Sequence, residues 1–222
     1  DLAAVAELCH RHDALFVVDA IQGLGAFPLH VESLGVDFLS ADAHKWMLGP
    51  EGVGLGYASP RALERIQPAL EGWLSVEDPF DFFNVDQPLK ADASRYEEGA
   101  YNVCGLHGLT GSLDLLLELG VDAIAKKILS LTNYLAERLA SAGWKVLSPR
   151  STEEEKSGIL MVTREGVDSS ALGATLKKEG FVISVRAGAL RVSPHAYNTV
   201  EELDALVESL GRSVDGAHGS GI

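Results

Sequence analysis

Four polar residues stand close enough along the chain to serve one reaction: Asp19, Gln22, His44 and Lys45. Asp19 closes the apolar run Ala14-Leu15-Phe16-Val17-Val18, and Gln22 follows in the turn Ala20-Ile21-Gln22-Gly23. His44 and Lys45 come after a second apolar run, 36–41, and before Gly49-Pro50-Glu51-Gly52. Short apolar runs of this kind read as buried parallel strands. Open α/β sheets bind ligands beyond the carboxyl ends of their strands, so the four residues are predicted on one rim. A lysine placed there beside glycines can lose its proton and attack a carbonyl, forming a Schiff base. A carboxylate at the neighbouring strand end can hold a pyridinium nitrogen protonated. Together they are what pyridoxal phosphate needs: an imine anchor, and an anion that keeps the ring an electron sink. Taken singly, each has an ordinary alternative. Lys45 reads as a surface lysine, Asp19 as a turn residue, Gln22 as a loop amide and His44 as a structural histidine.

The rim needs elements to position it. Asp1 reads as the cap of a helix with Leu2, Val5, Ala6 and Leu8 at helical spacing. The strand that should precede this helix in a βαβ unit is missing, so the chain is expected to begin within a domain. A third strand is predicted at Gly52–Tyr57, and Pro60 opens a short helix to about Ile66. Residues 70–94 show no period. Trp73, Phe80, Phe82 and Phe83 lie there among prolines and acids. Irregular stretches this long usually carry function or an interface. A substrate entrance, a dimer contact and a packed loop are all open readings.

Helices are predicted at 105–119 and 121–139. Strands at 144–147 and 158–163, a helix at 169–178, strands at 181–185 and 189–193, and a helix at 199–210 then suggest a compact α+β unit. The expected organisation is α/β, with a mostly parallel sheet in residues 1–120. A smaller α+β domain with its linking helix follows at 121–211, then a disordered tail at 212–222.

Hydrophobic residues make up 46% of the 222 and charged residues 23%, a balance that supports a buried core and argues against disorder. No window approaches the roughly 18 uninterrupted apolar residues of a membrane span. Eighteen basic against 32 acidic residues give −14, which argues against a nucleic-acid partner. Cys9 and Cys104 are too few for a disulfide framework or a four-ligand zinc site. No metal is expected, a reducing cytoplasmic setting is, and Cys104 is expected to pack as a small buried hydrophobe.

Val18-Asp19-Ala20-Ile21-Gln22, Ala43-His44-Lys45 and Gly49-Pro50-Glu51-Gly52 resemble the class V aminotransferase family of fold-type I pyridoxal phosphate enzymes. Cysteine desulfurases and selenocysteine lyases are its best-known group. Arg95-Tyr96-Glu97-Glu98-Gly99, Arg191-Val192-Ser193 and Tyr197-Asn198-Thr199 extend the resemblance to about residue 210. It implies the C-terminal portion of such an enzyme: part of the cofactor-binding large domain, without its N-terminal half, then the small domain. It also implies a homodimer acting on an amino acid. By the same resemblance, Lys45 carries the Schiff base and Asp19 meets the pyridine nitrogen. Gln22 meets the ring oxygen, His44 sits by the phosphate, and Arg191 grips the substrate carboxylate, a role suited to the bidentate guanidinium.

Three departures bear on function. Asp42 stands where desulfurases usually carry a serine for the phosphate, and a carboxylate repels phosphate. Ala100 lacks the hydroxyl of the threonine often found there. The stretch Arg186-Ala187-Gly188-Ala189-Leu190-Arg191 is short and has no cysteine, where desulfurases place their nucleophile. The expectation is therefore an aminotransferase, lyase or epimerase type of reaction. A desulfurase is disfavoured, and a non-catalytic scaffold is the rival from another class.

Overall fold

The computed structural model describes residues 1–218. Helix α1 (Leu2–Arg11) starts where Asp1 accepts the Ala4 N–H at 3.0 Å, and it ends with His10 and Arg11 complementing the helix dipole. Strands β1 (Val17–Asp19), β2 (Phe38–Asp42) and β3 (Gly54–Ala58) form a sheet in that order. β1 and β2 are parallel, with Asp19 opposite Ser40, while β2 and β3 are antiparallel. The parallel character expected from the apolar runs thus holds for one of the two pairings. β3 can run antiparallel because the chain returns directly through the turn around Gly52 without a crossover helix.

Alternation sorts the sheet's faces. Leu39 and Ala41 are buried, while Ser40 between them and Asp42 after them are exposed. The register puts Asp19 on the face of Ser40 and Asp42. Ser59 caps α2 (Pro60–Arg65), with proline in its first turn. Residues 70–92 are irregular, held by one bridge between Val76 and Leu89 and closed by a 3₁₀ turn at Ala93–Tyr96. Asn102 caps α3 (Val103–Leu119), where Cys104 is exposed rather than buried because the inward face of this helix is carried by Gly105, Leu109 and Leu116.

The chain falls into two compact units, Asp1–Val121 and Asp122–Ile222. The second holds α4 (Val121–Ser141) from Asp122 onward, β4 (Lys145–Val146), β5 (Leu160–Thr163), α5 (Ser169–Lys178), β6 (Ser184–Arg186), β7 (Ala189–Val192) and α6 (Val200–His218). Its sheet runs β4-β5-β7-β6, antiparallel throughout. Leu131, Leu135 and Leu139 of α4 pack with Leu160, Leu190, Leu206 and Leu210 in one core. Removing this much apolar side chain from water is the main favourable term for the unit.

Helix α6 runs through His218, over most of the stretch expected to be a disordered tail. The apolar face of Leu203, Leu206, Val207 and Leu210 carries the helix up to Gly211, which costs about 1 kcal/mol relative to alanine and does not end it. The remainder of the expected tail, 219–222, lies outside the described residues.

Candidate active site

The parallel pairing of β1 and β2 brings two loops to one rim, 20–27 after β1 and 43–49 after β2. Ala20 N–H still donates to Ser40 at 2.8 Å, extending the ladder one residue beyond Asp19. Asp19 is exposed, and its Oδ1 accepts the Ile21 N–H at 3.0 Å, an Asx turn that orients the carboxylate. The Lys45 loop closes on itself, with Gly49 N–H donating to Ala43 at 2.9 Å and Leu48 in the left-handed region at φ 57°. His44 is exposed, and Lys45, the next residue, is half-buried. His44 Nδ1 lies 4.0 Å from Asp42 Oδ2.

The two loops interlock. Gly25 has φ +91°, and a Cβ on it would stand 2.7 Å from the Trp46 carbonyl oxygen and 2.8 Å from the Met47 nitrogen. Only glycine permits this backbone-on-backbone contact. Beside it, Trp46 Nε1–H donates to Gln22 Oε1 at 3.2 Å. Asp19, Gln22, His44 and Lys45 therefore share one rim. Arg191 is half-buried on β7, opposite Met161 and Ser184, in the second unit. Arg186 is exposed and donates to the neighbouring Val185 carbonyl at 3.0 Å.

A cleft of about 530 Å³ covers the sheet face that carries Asp19, Ser40 and Asp42, with Tyr96 and Glu97 on its wall. Gln22, His44 and Lys45 do not line it. Three carboxylates and no basic side chain face this space, which disfavours an anionic group there. The Arg95-Tyr96 segment is a clasp. Arg95 donates to the Lys90 and Leu63 carbonyls at 2.7 and 3.0 Å, and Tyr96 to Ile66 at 3.0 Å. The Tyr96 ring stands edge-on to Phe38 at 5.7 Å. Trp73, Phe80 and Phe82 touch one another with ring centroids 5.9–6.4 Å apart, yet they are exposed, as is Phe83 at 99%.

Sequence reasoning missed Trp46, Gly25 and Asp37. Trp46 had one usable signal, its place beside Lys45. Asp37, 3% exposed, accepts from Phe16 N–H at 2.8 Å and pairs with His10 Nε2 at 2.8 Å, tying β2 to α1. Residue types alone could not separate it from the other acids.

A family model described as aminotransferase class V matches residues 1–206. A probable cysteine desulfurase of Halalkalibacterium halodurans is 30% identical over 94% of this chain and 53% of its own length. A probable cysteine desulfurase of Chlamydia trachomatis is 32% identical over 94% and 54%. The solved cysteine desulfurase of Thermococcus onnurineus superposes with a TM-score of 0.87 at 24% identity, over 97% of this chain and 56% of that one. The chain thus spans about half the length of the relatives it matches. A family match running almost end to end, over residues 1–206, places this chain in the class V aminotransferase family.

Proposed function

We propose that this protein acts on an amino acid as a pyridoxal phosphate enzyme of the aminotransferase, lyase or epimerase type, through a Schiff base at Lys45. The observation that carries the reading is the rim itself: β1 and β2 are parallel neighbours, so the Asp19 and Lys45 loops leave the sheet side by side. The donor set fits the reactive end of the cofactor. Lys45 offers a primary amine for the aldehyde carbon, Asp19 an anion for the ring nitrogen, and Gln22 an amide for the ring oxygen. His44 stands next to the lysine. The phosphate belongs away from the acidic cleft, because Asp19, Asp42 and Glu97 would repel it there.

When bound, pyridoxal phosphate supplies an electrophilic carbon for the substrate amine and a ring that takes up electrons from the α-carbon. The Lys45 amine would be the base that moves the α-carbon proton. Asp19 would hold the ring nitrogen protonated, and Arg191 would bind the substrate carboxylate. A homodimer in the cytoplasm fits the family resemblance.

The names of the relatives favour a second reading, cysteine desulfurase. The hairpin between β6 and β7 opposes it. Arg186 pairs with Ala189, so Ala187 and Gly188 alone make the turn, both at positive φ. A two-residue turn holds no thiol and has no length to deliver one.

The test is borohydride trapping with peptide mass mapping. Pyridoxal phosphate is expected on Lys45 in the wild type and on no residue in Lys45→Ala. Absence of the cofactor both from this chain and from the longer protein that the family resemblance implies removes the enzyme reading in favour of a scaffold. Stoichiometric alanine and sulfide from cysteine, with an added dithiol supplying the two electrons that release the sulfur as sulfide, would restore the desulfurase.

A further inference from the structure

We propose that Trp46 is a positioning residue for the Lys45 site: its indole N–H takes the oxygen of the Gln22 amide and so makes Gln22 a donor toward the bound ligand. This rests on the pyridoxal phosphate reading above.

An indole nitrogen donates one hydrogen bond and accepts none, whereas a primary amide carries an acceptor oxygen at one end and two N–H donors at the other. Trp46 Nε1 lies 3.2 Å from Gln22 Oε1. The amide therefore meets the indole with its oxygen, since the flipped amide would set N–H against N–H. Trp46 is only 6% exposed, which leaves little water to replace the lost partner. The amide is held in one sense.

Trp46 itself has little freedom. Its backbone lies against Gly25, with no room for even a Cβ between them, so the Gln22 and Lys45 loops cannot drift apart there. Lys45 is the next residue in sequence. One tryptophan thus orients the amide and belongs to the loop that carries the amine.

The consequence is chemical. A ligand oxygen that reaches Gln22 meets an N–H, which selects an oxygen without a proton over a hydroxyl that must donate. On a pyridoxal phosphate ring held by Lys45, that oxygen is the ring phenolate. A donor there spreads its negative charge and weakens its hold on the neighbouring imine proton.

The experiment follows the visible absorbance of the protein loaded with pyridoxal phosphate as pH is varied. Four proteins are compared: wild type, Trp46→Phe, Gln22→Met and the double variant. Trp46→Phe keeps an aromatic ring and removes the donor, together with part of the bulk of the indole. It is expected to raise the midpoint by about half a pH unit or more, a threefold change in the proton equilibrium. Gln22→Met is expected to raise it at least as far, and the double variant to match Gln22→Met alone, because the two residues act through one bond. A shift from Trp46→Phe that persists undiminished in the Gln22→Met background overturns the proposal, as does no shift from Trp46→Phe.

Gln22→Glu guards against a Trp46→Phe variant that does not fold. It keeps an oxygen for the indole but loses the donor, and it too is expected to raise the midpoint. An unmoved midpoint in Gln22→Glu overturns the proposal. In the cofactor-free protein, the indole N–H resonance lost in Trp46→Phe is expected to move in Gln22→Met, and an unmoved signal overturns the pairing. Failure of the underlying reading looks different: the wild type itself then takes up no pyridoxal phosphate and shows no visible band.

Discussion

Asp37 sits where β2 leaves α1 behind, and two forces act on its proton in opposite directions. Burial pushes the carboxyl up, but the Phe16 N–H, His10 and Arg61 together outweigh burial and hold it below the ordinary aspartate value. A carboxyl lowered in the fold contributes stability above its unfolded value, near pH 4, and that contribution is lost as pH falls through the lower folded value. Asp37→Asn is therefore expected to cost about 2–3 kcal/mol at pH 7 and to flatten the acid limb below pH 4. Urea titrations of both proteins at pH 7 and pH 3 check this, and equal losses at the two pH values would refute it. Lys45 and Asp19 stand out as candidates at this scale because a strand end, a turn and glycines flank each of them. Asp37 was not, because its role comes from partners 21 and 27 positions away in the chain.

Two turns decide more than the elements they join. At Gly25, a methyl group would drive into the Trp46–Met47 backbone, which has no rotamer with which to yield. Gly25→Ala is expected to cost at least about 2 kcal/mol and to separate the Gln22 and Lys45 loops. A lowered Tm with loss of the visible cofactor band is the expected pair of readings. At the β6–β7 turn, Ala187 sits at φ 48°, a region where asparagine is far more at ease. Ala187→Asn is expected to stabilise by about 0.5–1 kcal/mol, read as a raised denaturant midpoint at unchanged slope. The order of helices and strands was legible from periodicity, because amphipathic faces and apolar runs are local. Strand limits were less so. β1 begins at Val17 rather than Ala14: its register with β2 starts at Val17 opposite Phe38, and Phe16 reaches β2 only through its carbonyl, which accepts from Phe38 N–H at 3.2 Å. The last helix outran its expected end because the buried leucine face outweighs one glycine.

At the scale of the whole molecule, a leucine-rich core fills the second compact unit. Leu190 is fully buried among the leucines of the second unit, and Leu190→Ala is expected to cost about 3 kcal/mol. Hydrogen exchange should then quicken across β4–β7 and the helices packed on them. A net charge of −14 sets the expectation for polyanions: no shift of duplex DNA in a gel at low salt. Among the described residues, no helix is long and apolar enough to cross a membrane. Sedimentation at micromolar concentration tests the proposed homodimer, for which the expected mass is twice that of the chain.

Sequence alone determined the family, the α/β character and the four rim candidates, because motif spacing, strand runs and turn residues are properties of neighbours along the chain. Only the tertiary structure decided how those four are held. The parallel pairing of β1 with β2, the Gly25 contact with Trp46, the indole bond to Gln22 and the buried Asp37 all join residues about 20 or more positions apart. No local pattern encodes such contacts. They follow from which surfaces the fold presses together, and that depends on the packing of the whole unit.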